Sequence, residues 1–323
     1  VYELALLRDV PFHAFDSGGG SSALTNAIGR LNKLIYVQNG FPGRPRTTDD
    51  SGHLDRQTVF RGSSPGVEKG PYLSQLILIG SASPDGSNTP EDGFINFGAQ
   101  RIDQRVLEAE EEDDYMMTWP DWYRVQQGYE VRRDTADACK APGLGQKLTG
   151  GRRFIYTPRD LATYVHIDAL YQAYLNACLI LLGNGTPFDR GFDLLSGAAA
   201  GLVNDASTGM KIAPNAGGFA LWGGPHILSL VTEVATRGLK AVRYQKFNNH
   251  IRLRPEALAA RLEKAQEIEH RFSGLCGCFS GMATDLESVI DLIRSHNDRL
   301  SGDSTALLPM AFAEGSPMHP AYG

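Results

Sequence analysis

Residues 154–183 read FIYTPRDLATYVHIDALYQAYLNACLILLG, and this stretch decides the fold class. Thr157 is placed to accept a hydrogen bond from the first helical turn. Pro158 suits the first helical position, where no N–H is needed, and Asp160 sets a carboxylate at the positive end of the helix. Leu161, Tyr164, Val165, Ala169, Tyr171, Tyr174, Leu175 and Cys178 roughly follow helical spacing, and Gly183 closes the run. The spacing predicts one helix of about two dozen residues through the core. Its apolar part, 169–182, is interrupted by Gln172 and Asn176 and is too short to span a bilayer.

The same period recurs elsewhere in the chain. GGPHILSLVTEVATRGLKAVRYQKF (223–247) carries Pro225 near its first turn, PEALAARLEKAQEIEHRF (255–272) opens on Pro255, and ATDLESVIDLIRSHNDRL (283–300) is a further helix. FGAQRIDQRVLEAEEEDDYMMTWPDWY (97–123) also reads as a helix, with the acids of 110–114 as a solvated face. Clean two-residue alternation is scarce. The expected class is mainly α, a helical bundle with long surface loops. The loops are DSGGGSS (16–22), GFPGRPRTTDDSGH (40–53) and GSASPDGSNTPEDG (80–93), suited to assembly or to a site entrance. Gly18 to Gly20 lack the strand and helix flanks of a phosphate loop and read as linker. The expected division is a loop-rich part with helices over 1–150 and a helical-bundle part over 151–323, together one continuous domain.

The 323 residues can bury a substantial core without disulfides or metals. A net charge of -6 argues against general binding to nucleic acid or to an anionic membrane. The opening VYELALLRDVPF lacks the order of a signal peptide and reads as the interior of a protein. Of the four cysteines, Cys139, Cys178, Cys276 and Cys278, only the last two are close, and C-x-C without a second pair is a poor zinc motif. They read as thiols.

Against that acidic background, QKFNNHIRLRPEAL (245–258) concentrates Lys246, His250, Arg252 and Arg254, with Arg243 just upstream. At ~100° per residue, eight positions would leave Lys246 and Arg254 roughly 80° apart on one helix. Pro255 instead pushes Arg254 out of helical geometry, so lysine and arginine can converge on one anion. Arginine offers a planar fork for two oxygens of a tetrahedral oxyanion, and lysine a compact charge for one. The alternative is that these cations end a helix and pair with surface acids such as Glu256.

The run from Lys246 through Arg254 and Pro255 resembles the first signature of the vanadium haloperoxidases and the related acid phosphatases. RDVPFHAF (8–15), GPYLSQ (70–75), FINFGAQ (94–100), WPDWY (119–123), the stretch 154–182 and AEGSPMHPAYG (313–323) are similar to the vanadium-dependent bromoperoxidases of red algae and cyanobacteria. The resemblance implies a helical fold built around four-helix bundles that holds vanadate as it would hold phosphate. Hydrogen peroxide then oxidises bromide or iodide to a hypohalous acid equivalent, which halogenates a small organic substrate. Lys246 matches the lysine that polarises the peroxide, and Arg254 the arginine that binds vanadate oxygens. His319 matches a histidine that acts as acid and base or helps place the halide. His250 lies in the same basic stretch and is a possible member of the pocket. The resemblance also implies a large homo-oligomer, commonly a dodecamer; an extracellular, cell-wall or periplasmic setting fits it, while the sequence itself leaves the compartment open.

The family pattern continues past Gly323 with a Ser-Gly-His segment and then S-R-x5-H, whose histidine is the axial vanadium ligand. These do not follow here, so the chain is expected to be a C-terminally truncated piece that is not competent alone. Ser51, Gly52 and His53 stand in the wrong order, in an upstream loop. Algal relatives carry a calcium loop, but the corresponding stretch, 196–218, has Asp205 and few other carboxylates, so calcium is not expected. Two rivals are a phosphatase of the same superfamily and an inactive assembly fragment. His166 and His226 read as packed or capping residues, and His296 carries no readable role.

Overall fold

The computed structural model describes the chain except residues 17–18, 35–46, 63–64, 69, 83–85, 88, 132–145, 170, 185, 187–221, 251–253, 273, 275–276 and 315–323. The stretch 196–218, Arg252, His319, Cys139 and Cys276 lie outside the described residues. The elements are mainly helical: α1 Tyr2–Leu6, α2 Ser22–Asn32, α3 Trp119–Gln126, α4 Pro158–His166, α5 Gln172–Gly183, α6 Gly224–Tyr244, α7 Pro255–Glu263, α8 Ala265–Arg271, α9 Cys278–Asp285 and α10 Glu287–Ser301. Two antiparallel pairs accompany them, β1 Phe94–Phe97 with β2 Gln100–Asp103 and β3 Val106–Ala109 with β4 Leu148–Arg153. No helix among the described residues is long and apolar enough to cross a membrane.

The described residues within Val1–Tyr72, Val106–Ile167 and Ile251–Pro320 form one compact unit. In it α4 starts as its sequence dictates. Thr157 accepts from the Asp160 amide at 3.3 Å and the Asp160 carboxylate accepts from the Thr157 amide at 3.1 Å, a reciprocal cap with Pro158 in the first turn. Asp160 is wholly buried and also ion-paired to Arg153 at 3.0 Å. A core cluster joins Tyr2 and Ala5 of α1, Ala259 and Leu262 of α7, and Val289, Ile290 and Ile293 of α10.

The described residues within Leu73–Arg105 and Asp168–His250 form a second unit. Its core is Ile95, Leu179 and Ile180, with Leu175 and Leu228 against it. Asn176, the polar interruption in the apolar run, donates at 2.8 Å to the amide oxygen of buried Gln104. Gln104 in turn donates to the carbonyls of Leu76 at 2.7 Å and Ile79 at 3.1 Å, so the buried amides have partners.

Four helix expectations need correction. The helix read as two dozen residues over 157–183 is two, α4 and α5, with Tyr171 in the left-handed region at φ 58°. Apolar spacing does not report whether the backbone between the residues is continuous. The helix read over 97–123 is α3 alone, preceded by strands. Gly98, at φ 57°, makes the two-residue turn that pairs Phe97 with Gln100 and Ile95 with Ile102. The helices read over 255–272 and 283–300 are interrupted at Lys264 and begin at Glu287, respectively.

The acids of 110–114 divide. Glu111 and Glu112 are exposed, but Asp114 is buried, ion-paired to Arg8 and to Arg159 at 2.9 Å, and within hydrogen-bond distance of His296 Nε2 at 2.9 Å. Arg159 also grips Asp9 with two donors at 2.6 and 2.8 Å. His296, silent in the sequence, belongs to this network. Burial alone would raise the Asp114 carboxyl pKa, yet Arg8, His296 and Arg159 together hold it far below the usual carboxylate range.

Candidate functional site

The basic stretch begins where α6 gives way to a π-helical segment, Gln245–His250. Single turns of this kind are rare and need local compensation. Two amides supply it here: Asn248 donates to the Tyr244 carbonyl at 3.0 Å and Asn249 to the Gln245 side chain at 2.6 Å. Lys246 and His250 share this segment. The Lys246 ammonium lies 4.9 Å from the centroid of the half-exposed Phe247 ring, and His250 is exposed.

Arg254 belongs to the first unit. It is extended, at φ -67° and ψ 158°, and serves as N-cap residue of α7, as a residue before proline should. Its side chain is largely buried, with Nε 2.7 Å from Oε1 of Glu256. The contact is an ion pair without hydrogen-bond alignment, since neither the Nε nor either Glu256 oxygen has a hydrogen-bond partner. Among the described residues, neither terminal amino group of Arg254 donates a hydrogen bond. Burial pushes the Glu256 carboxyl pKa up, and the Arg254 charge opposes that.

Glu256 was expected to be a surface acid, and that is corrected: it is 0% exposed. The signal was present in the sequence. Positions 256, 259 and 260 fall on one face of a helix, and Ala259 and Ala260 are buried with it. A charged residue in phase with small buried ones points inward.

Among the other histidines, His166 is packed and paired, its ring stacked 4.0 Å from that of Phe312 and its Nε2 2.7 Å from Glu314. His226 lies against Trp222, with ring centroids 4.2 Å apart. Ser51 and His53 fold locally around Asp49 on an exposed turn. Cys178 is buried and Cys278 exposed.

No protein-family model matches the chain. Over its whole length it is 37% identical to proteins named vanadium-dependent bromoperoxidase from Corallina pilulifera and Corallina officinalis, and 28% identical to one from Ascophyllum nodosum. The chain spans about half the length of these curated relatives: 54% of the two Corallina proteins and 49% of the Ascophyllum one. A solved homohexameric vanadate-dependent bromoperoxidase from Ascophyllum nodosum superposes with a TM-score of 0.69 at 24% identity, covering 99% of this chain and 45% of that one. The fold is therefore that helical fold.

Proposed function

Because this chain is a relative of the vanadium-dependent bromoperoxidases along its entire length, we propose that it supplies part of a vanadate-dependent haloperoxidase, the part bearing Lys246, Arg254 and His319. The observation that carries this reading is the lysine and arginine signature inside a match that covers the whole chain.

The donor types suit a tetrahedral oxyanion. Arg254 has a guanidinium whose terminal donors are uncommitted among the described residues and whose back is turned to the Glu256 carboxylate. Lys246 offers a compact ammonium on an unusual turn. In the proposed site Arg254 orients two oxyanion oxygens, Lys246 places one positive charge, and His319 exchanges protons near neutral pH. His250, in the same basic stretch, is proposed as a further member of the pocket. Bound vanadate would supply the Lewis acidity that activates hydrogen peroxide towards bromide or iodide, and an electron-rich organic molecule would accept the oxidised halogen. The resemblance implies that a further histidine, from the part of the relatives' length that this chain does not span, would help hold the vanadate. We infer a homo-oligomer, the arrangement of the homohexameric structural neighbour; light scattering distinguishes a hexamer from the dodecamer that the sequence resemblance implies.

The test is bromination of monochlorodimedone with vanadate, peroxide and bromide, by the protein extended to its relatives' full length. The reading predicts activity that Lys246→Ala and Arg254→Ala each reduce at least about tenfold. Hydrolysis of p-nitrophenyl phosphate without bromination would replace it with the phosphatase reading.

A further inference from the structure

A cleft of about 440 Å³ opens between α3 on one side and α7 and α8 on the other, all within the first unit. It exists because the helix face behind it carries small side chains, Ala257 and Ala260. Trp119 and Trp122 form one wall, edge to face with centroids 5.5 Å apart. The Trp122 ring is fixed by its N–H, which donates to the Glu256 carbonyl at 3.1 Å. Ile268 and Phe272 line the cleft as well, and Phe272 is 57% exposed.

The rim has the opposite character. Arg261, Lys264 and Arg271 line it with one carboxylate, Glu267. Lys264 is shared between Glu267, at 2.6 Å, and the Trp119 ring, whose centroid is 5.5 Å away. Arg261 and Arg271 have no ion-pair partner among the described residues. A positive rim on an apolar slot stands out in a chain of net charge -6.

We propose that this cleft binds a planar aromatic anion, an aryl carboxylate or a ligand of similar shape and charge. The indoles and Phe272 offer ring faces and edges for stacking, and a free arginine fork matches two carboxylate oxygens. The volume falls within the usual 300 to 1,000 Å³ or so of small-molecule sites. A cationic ligand would meet the rim with the wrong sign, and a neutral one would leave the arginines unused. The cleft takes no residue from the proposed oxyanion site, so its test stands apart from that reading.

The probe is 6-fluoro-2-naphthoate, followed by fluorine NMR on this chain beside its neutral carboxamide and its cationic aminomethyl analogue. The acid should bind saturably, at least roughly tenfold more tightly than the amide, and the amine more weakly still. Arg261→Glu with Lys264→Glu should abolish the preference for the acid, whereas Lys240→Glu, outside the cleft, should leave it intact. Trp119→Ala should weaken acid and amide alike, and Trp222→Phe neither. If the doubly reversed variant does not fold, as judged by circular dichroism, Arg271→Gln and the acid-to-amide ratio of the unaltered chain decide. Equal affinity for acid and amide, or no saturable binding, overturns the proposal. So does an acid affinity that falls as protein concentration rises, which would mean that a second copy covers the cleft.

Discussion

At the residue scale, two buried carboxylates have opposite consequences for stability. Asp114 has a depressed native pKa. Its contribution is complete above the unfolded value of about 3.9 and is lost as the pH falls below that towards the native value. Glu256 has a raised native pKa. Its contribution is complete below the unfolded value of about 4.3 and is lost as the pH rises through the native one. Thermal midpoints measured against pH should therefore fall below pH ~4, and Asp114→Asn should flatten that acid limb. Glu256→Gln should instead flatten the loss on the side above pH ~4.3. Breaking the Asp114 network from the other side, Arg159→Ala should cost about 3 to 5 kcal/mol in urea denaturation, because it strips a buried carboxylate of a partner. Sequence patterning could have placed Glu256 inside, through its phase with Ala259 and Ala260. The Asp114 network was not legible. Asp9, Asp114, Arg159 and His296 lie far apart in the chain, and no local period joins them.

At the element scale, caps were readable and continuity was not. The signals at Thr157, Pro158 and Asp160 act within four residues, and the observed reciprocal cap is the one they dictate. Thr157→Ala should cost about 1 kcal/mol by urea denaturation, the usual value of an N-cap side chain. The interruptions at Tyr171 and Lys264 fall where residues 167–171 and 263–265 hold neither glycine nor proline, so no local breaker marks them. The strands of 94–109 were hidden for a related reason: their ladders are only four residues long, too short for alternation to stand out from a helical period. Close packing within the second unit gives another test. A Cβ at Gly80 would run into the backbone of Phe94, which cannot retreat without disturbing the β1 ladder. Gly80→Ala should destabilise the protein by about 1 to 3 kcal/mol, whereas Gly20→Ala, which meets open space, should not.

At the scale of the whole molecule, the mainly helical class was legible, because four periodic stretches each led to helices in the structure. The backbone at Arg254 was legible too. The proline after Arg254 takes that residue out of the helix, as its extended N-cap conformation shows. The π-helical character of Gln245–His250 has no simple sequence signal; it rests on side-chain amides reaching back along their own helix. We propose that Lys246 and Arg254 serve one bound oxyanion. Orthovanadate binding by calorimetry, on the protein extended to its relatives' full length, tests that most directly. Lys246→Ala and Arg254→Ala should each weaken binding at least about tenfold, with little further loss when both are combined, because the two donors act on one bound ion. Vanadate binding that neither substitution changes would contradict it.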